Sequence, residues 1–103
     1  MSELAGAGGR YILQLFVTGT TSRSARAIEN LRRICRTELK DMYELQIIDV
    51  YENPDATHDM QVIATPTLIK ILPEPLVRII GDLSSRESVL VGLGVTPLGG
   101  GGG

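Results

Sequence analysis

The sequence predicts one α/β domain with the element order βαβαββα. Three observations carry the expectation: a nearly continuous apolar run over 10–18, an amphipathic stripe over 22–39 directly after it, and two short β-rich runs over 67–72 and 76–81. At 103 residues the chain has room for one domain and not two. Its hydrophobic fraction is 43%, with no Trp and one Phe, so Ile, Leu and Val must build the core.

Residues 10–18 (RYILQLFVT) read as a strand buried on both faces. Gly19 ends it, and Thr20, Thr21 and Ser22 offer N-cap oxygens to a helix. Within 22–39, Ala27, Ile28, Leu31, Ile34, Cys35 and Leu39 recur at spacings near three and four, while Arg23, Arg26, Arg32, Arg33 and Arg36 fall largely outside that stripe. Residues 43–50 (YELQIIDV) form a second strand, and Pro54 after the ENP turn suits the start of a short helix over 54–62. The strands at 67–72 and 76–81 are separated by Pro73, Glu74 and Pro75, a connection short enough for an antiparallel hairpin. Ser84 is the expected cap of a last helix, with Glu87 completing a capping box, Val89, Leu90 and Leu93 facing inward, and Gly94 and Pro97 stopping it. Right-handed crossovers and a terminal hairpin make this a thioredoxin-like layout, with the Tyr43–Val50 strand at a sheet edge. The domain is expected over 10–94, with flexible ends at 1–9 and 95–103, the latter including five terminal glycines.

Charge is unevenly placed. Residues 10–40 carry seven basic and two acidic side chains, whereas 41–103 carry three basic and nine acidic ones. A basic first third could meet an acidic partner surface, or it could be a solvated helix face. No aromatic residue interleaves with the arginines of 22–39 and the chain as a whole is acidic, so nucleic acid is not an expected partner. No apolar stretch approaches the ~20 residues of a membrane span, no signal-type run opens the chain, and a single cysteine fits a reducing compartment. The expected location is cytoplasmic, with no membrane partner.

In thioredoxins, chemistry sits between the first strand and the first long helix, where the helix N-terminus lowers the pKa of one thiol of a C-x-x-C pair. Here that turn reads Gly19-Thr20-Thr21-Ser22-Arg23-Ser24 and holds no cysteine, so dithiol exchange is excluded. Cys35 lies on the apolar stripe and reads as a small core residue. His58 is the lone histidine, with no triad partner or metal-ligand set, and Asp49 and Asp82 do not read as an acid/base pair. No catalytic, cofactor or metal site is expected. Pro66, directly before a strand and facing the first helix turn, stands where thioredoxin-like folds keep a cis proline that presents backbone to bound peptides.

The segments YILQLFVTG (11–19), YELQIIDVYENP (43–54), IATPTLIKILPEP (63–75) and IIGDLSSRESVLVGL (79–93) resemble the KaiB family of cyanobacterial circadian clock proteins over about residues 10–93. The combination ATPT-x-x-KILP-x-P followed by IIGDLS-x-RE is the most specific part. The resemblance implies a non-catalytic binding protein that docks on the KaiC ATPase ring, sequesters KaiA and competes with a SasA-type kinase. It also implies two folds: a resting tetramer with a different second half, and a thioredoxin-like monomer that binds partners. Partner-binding candidates are then Tyr11, Arg26, Tyr43, Leu45, Gln46, Ile47 and Lys70. Candidate structural or switch positions are Pro66, Pro73, Pro75, Gly92 and Gly94.

Gln46 and Gln61 stand where the family often carries lysine, and Gly94 and the glycine tail replace its acidic ending. Those departures imply weaker partner contacts and a bias to the thioredoxin-like monomer. They also fit a divergent copy that acts as an adaptor outside the clock. A thioredoxin-fold redox enzyme is the remaining alternative, and the missing cysteine pair opposes it.

Overall fold

A computed structural model describes residues 10–95 of the chain. Four strands form one sheet: β1 (Tyr11–Val17), β2 (Tyr43–Asp49), β3 (Thr67–Leu72) and β4 (Val77–Ile80). Their spatial order is β2-β1-β3-β4, with β1 and β2 parallel and the other pairs antiparallel. Three α-helices join them: α1 (Ser22–Ile34), α2 (Pro54–Asp59) and α3 (Arg86–Leu93). This is the expected βαβαββα thioredoxin-like arrangement, with β2 at one edge.

The alternation of β1 decides which face becomes the core. Leu13, Leu15 and Val17 point to one side and pack with Ala27, Leu31, Ile34 and Cys35, Leu68, and Val89, Leu90 and Leu93. Phe16 points to the other side and is equally buried, as is Ile69. Removing one such side chain's apolar area from water stabilises by roughly 1.5–3 kcal/mol, so β1 and the α1 stripe supply much of what holds the sheet.

Local chemistry explains where elements start and stop. Thr21 is the cap of α1, its Oγ1 accepting from the Ser24 amide at 3.2 Å. The expected single helix over 22–39 instead ends its α-helical part at Ile34 and continues as a π-helical turn over Cys35–Leu39. Thr37 Oγ1 bonds back to the Arg33 and Ile34 carbonyls there, and Lys40, at φ 48, closes the turn by donating its amide to Cys35 O at 3.1 Å. The helix after Pro54 is shorter than expected, ending at Asp59 with turns beyond it.

The last helix corrects a prediction. Its cap is Ser85, whose Oγ accepts from the Ser88 amide at 3.4 Å, and not Ser84 with Glu87. The Asp82 carboxylate accepts from the Ser84 amide at 3.1 Å, which draws Ser84 into the preceding turn and leaves the cap to its neighbour. Gly94, at φ 75, ends α3 as expected. Pro97 and the expected flexible ends 1–9 and 96–103 lie outside the described residues; Val95 lies inside them and packs partly against the core. The Thr65–Pro66 bond is cis as expected, and so are Leu72–Pro73 and Glu74–Pro75.

Candidate functional site

The turn between β1 and α1 is filled by hydroxyls. Ser24 Oγ accepts from the Thr18 amide at 3.1 Å, and the Thr18 and Thr65 hydroxyls hydrogen-bond each other beside Pro66. Asp49, at the end of β2, accepts from the Gly19 amide at 2.9 Å and the Tyr51 amide at 2.8 Å. These groups satisfy one another and hold the turn closed. The one thiol is elsewhere: Cys35 is wholly buried, and burial pushes it up to about 12, so it stays protonated. Among the described residues, no group of three or more His, Cys, Asp or Glu could hold a metal ion, and no helix is long and apolar enough to cross a membrane.

The edge of β2 is the open feature. Tyr11 N donates to Met42 O and Val50 N to Val17 O, so the even-numbered residues turn their backbone groups toward β1. By the same alternation, the amides and carbonyls of Tyr43, Leu45 and Ile47 point outward. Tyr43 and Leu45 lay their side chains on the margin of the core, while Glu44 and Gln46 face away from it. Ile47 is 36% exposed, and Gln46 Oε1 accepts from Gln14 Nε2 at 3.0 Å. An edge with unpaired backbone groups and tolerant side chains can accept another extended chain.

The other candidates scatter. Arg26 lies exposed on α1, its Nε 3.3 Å from Asp82 Oδ2, while Asn30 Nδ2 donates to Asp82 O at 2.9 Å. Hydrogen bonds from Ser84, and then Arg26, hold the Asp82 carboxyl below its ordinary pKa. Tyr11 is half-buried, and its hydroxyl donates to Leu93 O at 3.0 Å and braces the end of α3. Lys70 is no surface cation. It is 4% exposed, and its Nζ donates to Pro73 O at 2.8 Å. The cause is register: β3 is an interior strand, and pairing with Leu13 and Val77 aims Lys70 at the core side of the sheet.

Among the switch candidates, Pro66 is buried, Pro73 half-buried and Pro75 exposed. Gly92 lets α3 approach β4, since a Cβ there would lie 2.5 Å from Ile79 Cδ1. The sequence reading missed the exposed apolar side chains Tyr51 (78%) and Ile63 (91%), which carry no periodic signal in their loops. It also missed the ion pair from Arg86 to Glu38 that ties α3 to the end of the first helix.

Comparison with known proteins fits this geometry. The family model for the KaiB domain matches residues 14–95. The circadian clock protein KaiB3 of a Synechocystis species is 50% identical over 90 residues, which cover 87% of this chain and 88% of that protein. The circadian clock oscillator protein KaiB of a Synechococcus species is 55% identical over 83 residues, covering 81% of this chain and 70% of the other. Among solved structures, the N-terminal domain of Synechococcus elongatus SasA superposes with a TM-score of 0.67 at 26% identity, covering 80% of this chain and 79% of that one. Fasciola hepatica thioredoxin superposes with a TM-score of 0.65 at 20% identity, covering 87% and 88%, a likeness of fold alone. The chain belongs to the KaiB family of circadian clock proteins.

Proposed function

We propose that this chain is a non-catalytic, cytoplasmic clock component that docks on a KaiC-type ATPase ring, holds KaiA along the β2 edge and competes with a SasA-type kinase. The observation that carries the reading is the unpaired outward backbone of Tyr43, Leu45 and Ile47 at the end of the sheet. The shared fold with the SasA domain supports competition, since two domains of one shape can occupy one receptor surface. Gln46 and Gln61, set by the resemblance at family lysine positions, remove rim charge and so slow association more than they speed release.

The chain is further proposed to favour the thioredoxin-like monomer over a tetramer with a different second half. Gly94, which by the resemblance replaces an acidic residue, supports this by closing α3 at φ 75. States separated by a few kcal/mol can be reordered by few substitutions. Sedimentation of the free protein as a tetramer refutes that preference.

The test of function is size-exclusion chromatography with light scattering after overnight mixing with KaiC and ATP, then with KaiA added. Co-elution with the ring supports the clock reading. A monomer that ignores the ring refutes it and favours the second reading, a divergent adaptor outside the clock. The withdrawal of Lys70 from the surface supports that second reading, since it removes a basic contact from the ring-binding set. Insulin reduction by the purified chain would refute both.

A further inference from the structure

The flanks of α1 differ in what they face. Arg26 and Asn30 stand on the flank toward Asp82, in the loop that leads from β4 to α3. With 3.6 residues per turn, Ile28 and Arg32 fall on the opposite flank, beyond the buried line of Ala27, Leu31 and Ile34. Because α3 packs on β4 at the far end of the sheet, and the Arg26 flank faces the loop leading to α3, we infer that the opposite flank lies toward β2. Ile28, Tyr43 and Leu45 are each partly buried and packed against the core.

Arg36 follows Arg32 by four residues, and both are exposed. Two other arginines of this stretch are engaged, Arg26 with Asp82 at 3.3 Å and Arg33 with Glu29 at 3.6 Å. Among the described residues, Arg32 and Arg36 have no carboxylate partner. A pair of cations therefore borders a strand edge whose backbone is open.

We propose that the β2 edge takes an extended segment with two carboxylates at alternate positions, both on the helix side and met by Arg32 and Arg36. This rests on the edge-docking reading above and adds the chemistry of the occupant. Residues of an added strand that pair with Tyr43, Leu45 or Ile47 send their side chains to the face covered by α1. Spacing is compatible: from Arg32 to Arg36 the helix, whose last steps lie in the π-helical turn, advances at most about 6 Å, and two strand residues advance about 6.6 Å. On the other face Glu44 repels acid, so the match is an alternating strand and not a uniformly acidic one.

The test uses three fluorescein-labelled ten-residue peptides of alternating Val and Thr, identical except for two Glu, two Gln or two Lys at i and i+2. Anisotropy against the whole chain in low salt gives the affinities. The Glu peptide is expected to bind about tenfold more tightly than the Gln peptide, and the Lys peptide more weakly still. In the double variant Arg32→Glu/Arg36→Glu, with its fold checked by circular dichroism, Lys should overtake Glu. N-methylation of alternate peptide amides, or Ile47→Pro in the protein, should remove binding of all three. Equal binding of the Glu and Gln peptides overturns the arginine readout and leaves edge docking standing. Glu-peptide binding that survives both N-methylation and Ile47→Pro makes α1 a general anion surface and overturns the strand model. Failure of all three peptides to bind overturns the proposal and the edge-docking reading together.

Discussion

Gly92→Ala probes the contact on which α3 is seated. The new methyl would lie 2.5 Å from Ile79 Cδ1, 3.0 Å from Ile79 Cγ1 and 3.7 Å from Val77 Cγ1. Two effects oppose each other. Alanine is favoured over glycine inside a helix by ~1 kcal/mol. Overpacking a seated contact costs about 1–3 kcal/mol, and Ile79 is only half-buried, so part of the strain can relax. The contact wins, for a net loss of ~1 kcal/mol, or ~4–8 °C in Tm for a domain of this size. Ile79→Val deletes the atom at 2.5 Å and alone costs roughly 0.5–1.5 kcal/mol. In the double variant the closest clash is gone and alanine regains its helical advantage, so the two changes should couple favourably by ~1–2 kcal/mol. Urea unfolding followed by circular dichroism on all four proteins completes the cycle. Effects that add within about 0.5 kcal/mol would show that Gly92 is not held by Ile79 and would refute the reasoning.

Further outcomes follow from groups already placed. The Cys35 thiol should resist thiol reagents at pH 8 until the chain unfolds, with labelling that tracks urea denaturation. Because burial holds it at about 12 against an ordinary 9.0, its contribution to stability is complete below pH 9 and is lost as pH rises from there toward 12, as alkaline melting curves of wild type and Cys35→Ala would reveal. Tyr11→Phe should lower stability by ~1 kcal/mol and increase amide exchange at the end of α3, by losing the bond to Leu93 O. Asp82 is held below its ordinary value of 3.8, so its contribution is present above that value and lost as pH falls below it. The acid limb of the melting profile should therefore flatten in Asp82→Asn.

What the sequence made legible and what it hid divide along physical lines. The core strand, the α1 stripe and the proline-broken hairpin were readable because each rests on period, cap or turn chemistry within a few residues. The edge position of β2 followed from topology. The cap of α3 was off by one because tandem serines are alike in sequence, and only the Asp82 carboxylate selects between them. The resemblance names Lys70 as a partner-binding cation, and its burial is not legible there because strand order and register decide it. The π-helical turn over Cys35–Leu39 depends on Thr37 bonding back into the helix, which a stripe of spacings near three and four does not reveal. The hydrogen bond from the Tyr11 hydroxyl to Leu93 O spans 82 residues of sequence, so no local pattern reveals it.

The withdrawal of Lys70 has a practical consequence. The chain holds two lysines, Lys40 and Lys70, and the folded state leaves the first exposed and seals the second. An amine-reactive ester should therefore mark the native chain on side chains at Lys40 alone, apart from its amino terminus. Acylation at Lys70 becomes a clock of its own: it advances only in those moments when β3 parts from its neighbours, so mass spectrometry of that one peptide would time how often the second half of the chain comes undone.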